Sequence, residues 1–223
     1  TQSLKDSTPV TEYDVSQRIF ERFKTHGMTT DFAPICAVDG NAGNPHYQPT
    51  AERSTRIVKG HLILIDLWAR HDSEICIYGD ITWMAYAGRK DEIPGRYVST
   101  FDVIVRARDK AVSFLEENLP IRPVYGSEVD DACRQVVIEA GFGEFFTHRT
   151  GHSITTAAHG SGPNIDNLET EDRRILQPGH LFSIEPGIYM DDCGFRTEID
   201  CLITPDGCEV TTKPLQTEIT ILL

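Results

Sequence analysis

The chain has 223 residues, 39% hydrophobic and 25% charged, which is typical of a globular protein that buries a sizeable core. The formal net charge of −13 at pH 7 argues against a nucleic-acid partner and against attraction to an anionic membrane. No apolar run has the length of a membrane span, and residues 1–6 are unlike a signal peptide, so we expect a cytoplasmic location.

The cysteines indicate a reducing compartment. They number six, show no Cys-x-x-Cys spacing, and occur in a chain too large to require disulfide staples, so we expect reduced thiols. The chain begins at Thr1 rather than at a methionine, and we therefore expect that it was cut from something longer.

The first predicted element is an amphipathic helix. Thr11 and Asp14 form a pattern typical of a capping box, apolar residues then recur at helical spacing, and Gly27 closes the pattern. Residues 32–38 are typical of a strand and lead into a turn-rich loop that carries His46. This histidine is a candidate functional residue, because loops on a rigid scaffold often carry function.

Two apolar runs, residues 62–68 and 74–83, contain one aspartate each, Asp66 and Asp80. The two aspartates lie symmetrically about Ser73, so a regular antiparallel hairpin centred there would place them side by side. Adjacent carboxylates repel one another unless a cation lies between them. The alternative is that one or both are turn or surface acids, which their apolar flanks disfavour.

Two further helices are predicted in the middle of the chain. Residues 98–119 show helical spacing of their apolar side chains. Ser127 is predicted to cap the next helix, with Asp130 in the capping-box position and Gly141 at its end. Neither helix carries residues to which we assign chemistry, so both are interpreted as scaffold packed on a sheet.

Histidines become frequent after the third predicted helix. His148, His152 and His159 occur within twelve residues, among glycines, threonines and alanines. A single histidine is usually a solvated or structural residue, but three on one extended stretch favour a functional site.

Two glutamates repeat the geometry predicted for the aspartates. Residues 181–185 and 195–204 are predicted strands, and Glu185 and Glu198 lie symmetrically about a turn at residues 191–192. Two hairpins therefore each present a pair of acids, which suggests two similar halves facing one another. The predicted architecture is α/β, with a curved, antiparallel-rich sheet backed by helices.

Four carboxylates and one imidazole are the inventory of a site for two divalent metal ions. Four ionised carboxylates close together would raise one another's pKa, and two divalent cations neutralise them formally. Oxygen-rich ligation with one imidazole points to Mn²⁺ first, with Co²⁺, Fe²⁺ or Zn²⁺ as alternatives, and away from a thiolate-rich structural zinc. A pair of such ions can activate water and polarise a carbonyl, which indicates amide hydrolysis.

The candidate ligands are Asp66, Asp80, His152, Glu185 and Glu198, and the last three lie in Gly-His-Ser-Ile, Ser-Ile-Glu-Pro-Gly-Ile-Tyr and Phe-Arg-Thr-Glu-Ile-Asp. Together they resemble the pita-bread metallopeptidases: methionine aminopeptidase, aminopeptidase P and prolidase. The resemblance implies a pita-bread fold in which the five residues hold two metal ions. By the same comparison Asp80 and Glu198 would bridge both ions.

The resemblance also implies roles for further residues. His46 matches the family's substrate-contacting histidine, and His159 matches the histidine that hydrogen-bonds the scissile carbonyl. Glu185 would also move the proton of the attacking water to the leaving amine. His148 looks like the extra histidine of the aminopeptidase P and prolidase branch, and Arg196 matches an arginine beside the last glutamate.

The sequence departs from the family pattern in several places. The two aspartates are further apart than usual, so the first hairpin should have a longer tip. Trp68 stands where the pattern has glycine, and Trp83 replaces a small polar or basic residue. Residues 155–157 replace a glycine-containing run. These changes bear on substrate preference more than on metal binding.

The family comparison predicts one catalytic domain over residues 1–223, without the first helices and without the N-terminal domain of prolidase. The expected function is that of an Xaa-Pro exopeptidase acting on a peptide or dipeptide. A homodimer is one of the oligomeric states we consider. One alternative is an enzyme of the same fold that acts on a small molecule, as creatinase and the sulfoniopropionate lyases do. Another is a catalytically inactive binding module. Creatinase-type and inactive relatives have generally lost metal ligands, whereas this chain has a complete set.

Overall fold

The computed structural model describes residues 9–223, and the expectation about residues 1–6 lies outside that part of the chain. The described residues form three helices: α1 Glu12–Thr25, α2 Gly95–Asn118 and α3 Gly126–Glu139. The strands are β1 Met28–Thr29, β2 Ile35–Val38, β3 Leu62–His71, β4 Gly79–Tyr86, β5 Ser153–Ile154, β6 Leu181–Ile184, β7 Gly187–Tyr189, β8 Gly194–Arg196, β9 Ile199–Thr204, β10 Gly207–Val210 and β11 Thr220–Ile221.

Helix α1 begins and ends as the sequence predicts. The backbone N–H of Asp14 donates to the Thr11 hydroxyl at 3.2 Å, and the backbone N–H of Thr11 donates to the Asp14 carboxylate at 2.8 Å. These two hydrogen bonds form the capping box. The chain leaves the helix at Gly27, whose φ of 65° is a left-handed conformation that favours glycine.

Buried Glu12 ties helix α1 to the loop that carries His46. Its carboxylate accepts a hydrogen bond from the backbone N–H of Val38 at 2.7 Å, at the end of β2. The same carboxylate accepts from the Tyr47 hydroxyl at 2.6 Å, next to His46 in the chain. The loop therefore has a defined position although it contains little regular structure.

Strand β3 is the centre of a five-stranded sheet. It pairs antiparallel with β4, and its other edge pairs with β2 and then with β1. The last strand, β11, lies parallel to β4. One face of the sheet contributes Leu62, Leu64 and Met84 to the main hydrophobic core, and the other face contributes Ile63 and Ala85 to a smaller core beside α1.

The predicted pairing of Asp66 with Asp80 is wrong. In the β3–β4 ladder Asp66 pairs with Thr82, and Asp80 pairs with Trp68. The two carboxylates share one face of the sheet but are diagonal neighbours rather than directly opposed. Diagonal positions are about 7–8 Å apart, compared with about 5 Å for opposed ones, so more room is left between the carboxylates for a cation.

The connection between β3 and β4 explains this difference. The prediction centred a short turn on Ser73, but β3 continues to His71, where it pairs with β1. Residues 72–78 then form an irregular connection, and the backbone N–H of Tyr78 donates to the carbonyl of Thr155 in the C-terminal half at 2.9 Å. This contact with a distant segment belongs to the tertiary structure, so hairpin symmetry could not predict it.

The glutamate pair has the register that the sequence predicts. Strands β6 and β9, and then β7 and β8, share one register in which Ile184 faces Ile199, and this register places Glu185 opposite Glu198. Both glutamates lie in short breaks between these strands. Strands β10, β9, β6 and β5 form a four-stranded sheet in that order, and β7 and β8 form a separate two-stranded one.

Helix α3 does not begin at the predicted cap. The cap residue is Tyr125, whose backbone N–H donates to the Glu128 carboxylate at 2.9 Å, so Ser127 lies inside the first turn. Arg122 donates to the same carboxylate at 2.8 Å and holds it in place for the cap. The helix ends before Gly141, as predicted, with a φ of 84° at that glycine.

Asp130 and Arg134 connect helix α3 to the histidine-rich segment. Asp130 is fully buried and accepts hydrogen bonds from Arg134 at 2.9 Å and from the backbone N–H of Thr150 at 2.9 Å. Arg134 donates in turn to the carbonyl of His148 at 2.8 Å. The helix is therefore more than passive scaffold, because it positions the backbone that carries two candidate site residues.

Helices α2 and α3 pack on the main core. The buried face of α2 includes Ile104, Ala107, Ala111 and Leu115, which confirms the predicted helical spacing. Among residues 9–223, none of the helices combines the length and apolar character needed to cross a membrane.

Candidate metal centre and active site

The candidate site is a cavity of about 490 Å³ between the two halves of the molecule. This volume is in the usual range for a small-molecule site. The structure brings all nine residues singled out by the sequence to the wall of this one cavity: His46, Asp66, Asp80, His148, His152, His159, Glu185, Arg196 and Glu198.

Asp80, His152 and Glu198 form the tightest part of the site. One ligand atom from each lies within 4.8 Å of the others, and all three residues are buried. Two carboxylates and one imidazole at this separation can coordinate one divalent ion. The three residues come from strand β4, the position just before β5 and the break before β9, so the cluster exists only in the folded chain.

The carboxylates of this cluster repel one another in the metal-free protein. Burial raises the pKa of Asp80 well above its usual value, and the charges of Asp66 and Glu185 raise it further. Burial also raises the pKa of Glu198, and the negative charges of Asp80 and Glu185 raise it further. Both effects disfavour the ionised form, and a bound cation would reverse them.

The backbone around His152 gives its ring a defined orientation. A side chain at Gly151 would overlap the carbonyl oxygen of Ser183, so glycine permits the close approach of this segment to β6. The backbone N–H of His152 donates to the Ser183 hydroxyl at 2.9 Å. The ring Nδ1 lies 3.3 Å from the carbonyl of Ser153, an arrangement in which Nδ1 carries the proton and Nε2 has a free lone pair.

The Nε2 atom of His152 faces carboxylates from both hairpins. It lies 3.6 Å from Asp80 Oδ2 and 3.4 Å from Glu185 Oε1. Burial lowers the pKa of His152 to about 4, so the ring is neutral at physiological pH. A neutral imidazole with Nε2 directed at carboxylates has the protonation state that metal ligation requires.

The residues also fit a metal by a second criterion. Asp80 Oδ1 is buried and has no hydrogen-bond partner among residues 9–223. A buried carboxylate oxygen without a donor is destabilising unless a cation satisfies it. The donor set around it is four carboxylates and one imidazole, which matches divalent ions of the Mn²⁺ to Zn²⁺ series.

Arg196 links the two hairpins across the site. Its guanidinium donates to the Asp66 carboxylate, and its Nε donates to the Thr82 hydroxyl at 3.1 Å. The Thr82 hydroxyl donates to Glu198 Oε2 at 2.7 Å. The arginine therefore lies beside the last glutamate, where the family resemblance placed it, and it contacts that glutamate through Thr82.

A second chain of hydrogen bonds connects Arg196 to His148. The guanidinium donates to the Tyr189 hydroxyl at 3.0 Å, and that oxygen lies 2.7 Å from His148 Nε2. His148 Nδ1 lies 2.6 Å from the carbonyl of Arg149, so Nδ1 is the donor and Nε2 accepts from Tyr189. Burial lowers the pKa of His148 to about 4, so this histidine is also neutral.

The two remaining histidines line the cavity from opposite halves. The His159 ring lies 4.3 Å from the His152 ring in an edge-to-face arrangement. Burial lowers the pKa of His159, and the nearby His152 lowers it further. His46 comes from the loop after β2, where its backbone N–H donates to the Asn44 side chain at 3.0 Å.

Sequence reasoning missed several residues that hold the site together. No role was assigned to Thr82, Ser183, Tyr189 or Asp200, although Thr82 follows a candidate ligand by two positions and Tyr189 lies within the Pro-Gly-Ile-Tyr segment. Asp200 accepts a hydrogen bond from the backbone N–H of Asp80 at 2.9 Å, and burial raises its pKa to about 7. Their proximity to the quoted motifs was the available signal.

Known proteins with similar sequences are peptidases. The chain is 27% identical over 205 residues to an uncharacterized peptidase of Staphylococcus haemolyticus and 26% identical over 211 residues to one of Staphylococcus aureus. These alignments cover 91% and 94% of this chain but 53% and 54% of the relatives. The chain thus spans about half the length of the curated relatives it matches.

Solved structures confirm the predicted pita-bread fold. A dipeptidase from Pyrococcus horikoshii OT3 matches with a TM-score of 0.80 at 29% identity, over 96% of this chain and 55% of that chain. An Xaa-Pro dipeptidase from Bacillus anthracis matches with a TM-score of 0.80 at 27% identity, over 96% of this chain and 56% of that one. The sequence pattern of metallopeptidase family M24 matches residues 2–205 of this chain. On the site geometry and these matches together, the chain belongs to metallopeptidase family M24.

Proposed function

We propose that this chain hydrolyses the N-terminal peptide bond of short peptides whose second residue is proline, with two divalent metal ions of which Mn²⁺ is the first candidate. The observation that carries the proposal is that all five candidate ligands line one cavity. The Bacillus anthracis Xaa-Pro dipeptidase and the Pyrococcus horikoshii dipeptidase support this substrate class, since both share the fold at more than 25% identity. We also propose a cytoplasmic location, which the scattered cysteines without Cys-x-x-Cys spacing favour.

The metal ions would be held by residues of both hairpins: Asp66, Asp80, His152, Glu185 and Glu198. When bound, divalent ions supply Lewis acidity that polarises a carbonyl and lowers the pKa of water. The buried position of Asp80 and Glu198 favours metal binding further, because it makes their uncompensated charges unfavourable.

Glu185 is the proposed proton carrier. The Ser183 hydroxyl donates to Glu185 Oε1 at 3.1 Å and orients the carboxylate within the cavity. In the proposed reaction the oxygen of a water molecule bonds to the scissile carbonyl carbon while Glu185 accepts its proton. Glu185 then delivers that proton to the leaving amine nitrogen as the carbon–nitrogen bond breaks.

The histidines are proposed to bind and orient the peptide. His159 lines the cavity and its lowered pKa keeps it neutral, so it can donate one N–H to the oxygen of the scissile carbonyl. His46 would contact the substrate from the other half of the cavity. His148, which hydrogen-bonds Tyr189, would hold the Arg196 side chain in place.

Metal stoichiometry is the first test of this function. The purified chain would be reconstituted with Mn²⁺, desalted and analysed for elements, beside an Asp80→Ala variant. We expect about two ions per chain, with most of the metal lost in the variant. Essentially no metal in either protein would contradict the hydrolase mechanism and favour metal-free chemistry or a binding role.

Substrate class is the second test. Reconstituted protein would be assayed on matched dipeptides and tripeptides that carry proline or alanine at the second position. Release of the first residue from the proline peptides alone supports the proposed specificity. Equal cleavage of both series would keep the metallopeptidase activity and contradict the proline requirement.

A further inference from the structure

We propose that Arg108 of helix α2 is a positioning residue for the candidate metal centre, which holds strand β4 and the segment around Glu198 at a fixed separation. The inference rests on the proposed function and adds to it a residue that lies outside the cavity. The cavity lining does not include Arg108, whose side chain is fully buried on a helix that the sequence marked as scaffold. Its role is to fix the position of Asp80 relative to Glu198.

The edge of strand β4 that faces away from β3 carries the contacts between these two candidate ligands. The backbone N–H of Asp80 donates to the Asp200 carboxylate at 2.9 Å. Two residues later, the carbonyl of Thr82 accepts a hydrogen bond from the backbone N–H of Glu198 at 3.2 Å. The separation of the two ligands therefore depends on how firmly this edge, which we call the β4 edge, is held.

Gln216 continues the β4 edge beyond Thr82. Its side-chain oxygen accepts from the backbone N–H of Met84 at 2.8 Å, and its side-chain nitrogen donates to the carbonyl of Met84 at 2.6 Å. Strand β11 then pairs with β4 from Ala85 onward. The buried glutamine thus takes the place of a neighbouring strand for one residue, which an amide can do because it carries both a donor and an acceptor.

Arg108 joins the Gln216 contact to the Glu198 contact. Its Nη1 atom donates to the carbonyl of Gln216 at 2.7 Å and to the hydroxyl of Thr197 at 3.2 Å. Thr197 is fully buried and directly precedes Glu198 in the chain. Since Nη1 carries two N–H groups, one nitrogen can bind both segments at once and set the distance between them.

The burial of this guanidinium is unfavourable by itself. Its Nε and Nη2 atoms donate to the Asp109 carboxylate at 2.9 and 2.7 Å, but the Asp109 side chain is 53% exposed, whereas that of Arg108 is not exposed at all. An apolar residue of similar length would fill the same space without the cost of removing a charge from water. What such a residue would lack is the pair of hydrogen bonds to Gln216 and Thr197.

Metal affinity is the first test. The wild-type chain, Arg108→Met and Thr197→Val would be titrated with Mn²⁺, and the electron paramagnetic resonance signal of the free ion would measure binding. We expect Arg108→Met to weaken Mn²⁺ binding by roughly tenfold or more, as is usual for groups that orient metal ligands from outside the coordination shell. Thr197→Val should weaken it less, because the carbonyl of Gln216 still holds Arg108.

Two control variants accompany the titration. Arg106→Met replaces an exposed arginine on the same helix, and Thr197→Ser keeps the hydroxyl that accepts from Arg108. Both should bind Mn²⁺ as the wild type does. Unchanged affinity in Arg108→Met, or equal losses in Thr197→Val and Thr197→Ser, would overturn the proposal.

Hydrogen exchange in the metal-free protein separates this role from the proposed function and from a general effect on stability. A wild-type chain that binds no Mn²⁺ would contradict the proposed function, and amide exchange would still decide the role of Arg108. We expect Arg108→Met to accelerate exchange at Met84 and Glu198, whose N–H groups cross the β4 edge, by roughly tenfold more than at buried Val137 in α3. Equal acceleration at all three amides would overturn the proposal. If Arg108→Met does not fold, Thr197→Val carries the same comparison.

Discussion

The two acid-bearing hairpins present their carboxylates in different ways. The N-terminal hairpin carries Asp66 and Asp80 inside continuous strands, where they are diagonal neighbours. The C-terminal hairpin carries Glu185 and Glu198 in breaks between strands, where the register of the flanking strands places them opposite one another. Both arrangements direct a pair of acids into one cavity, but the backbone around each pair is different.

The hydrogen-bond partners differ as well. Both glutamates accept a hydrogen bond from a hydroxyl group, Glu185 from Ser183 at 3.1 Å and Glu198 from Thr82 at 2.7 Å. Asp80, by contrast, keeps one buried oxygen without a partner among residues 9–223. The comparison indicates that Asp80 in the N-terminal hairpin carries a charge that a cation must offset. The C-terminal hairpin supplies carboxylates that neighbouring hydroxyls already orient, as a proton carrier requires.

The largest expected effect separates proton transfer from metal binding. Glu185→Gln removes the proton acceptor and keeps an oxygen at the same position, so turnover should fall by about 10²–10⁴-fold while most of the metal stays bound. Peptide hydrolysis and elemental analysis on the same preparation measure the two quantities. Glu209→Gln is the control, because Glu209 is an exposed glutamate on strand β10 of the four-stranded sheet. Full activity in Glu185→Gln would remove this residue from the mechanism.

The second prediction concerns the arginine that joins the two hairpins. Arg196→Ala leaves Asp66 buried without its cation, and it removes the donor to Thr82. Loss of one partner from a buried ion pair typically costs about 3–5 kcal/mol of the free energy of unfolding. Urea denaturation of the metal-free protein measures the change.

The matched control is Arg106→Ala, which breaks the exposed i,i+4 pair with Asp102 on helix α2. Exposed pairs contribute little, so its unfolding curve should overlay that of the wild type. An Arg196→Ala curve that also overlays the wild type would show that Asp66 and Asp80 do not depend on the C-terminal hairpin for charge balance.

The smallest predicted effect is a pH dependence of stability that arises from Asp80 in the N-terminal hairpin. Burial raises the folded-state pKa of Asp80 above its unfolded value, so its contribution to stability is present at low pH and is lost as pH rises through the folded pKa. Asp80→Asn cannot ionise, so the metal-free variant should be more stable than the wild type at pH 8. The difference should vanish below about pH 4.

The comparison is cleanest above pH 6.5. His148 and His152 have a pKa of about 4 in the folded protein, so their contribution to stability is complete above 6.5 and is lost as pH falls. Thermal melts between pH 6.5 and 9 therefore report mainly on the carboxylates. Added Mn²⁺ should stabilise the wild type and have little effect on Asp80→Asn. A variant less stable than the wild type at pH 8 would contradict the raised pKa of Asp80.

Parts of the fold and of the site could be predicted because the sequence pattern that encodes them is local. The capping box at Thr11 and the helical spacing in α2 follow from neighbouring residues in the sequence. The glutamate register was also predictable, because the two glutamates flank one short turn and the strands keep a single register on both sides of it. The helix cap at Tyr125 was missed because Glu128 and Asp130 both offer a carboxylate near the start of α3, and contacts with other segments select between them.

The sequence by itself determined the types, order and spacing of the candidate ligands, since ligand chemistry belongs to individual side chains and their motifs are short. Only the tertiary structure decided the diagonal placement of Asp66 and Asp80, because the irregular connection after β3 is anchored to Thr155 in the other half. It also decided that Arg196 pairs with Asp66 and that Trp68 faces the cavity. These relations depend on how distant segments pack, and no local pattern in the sequence encodes that packing.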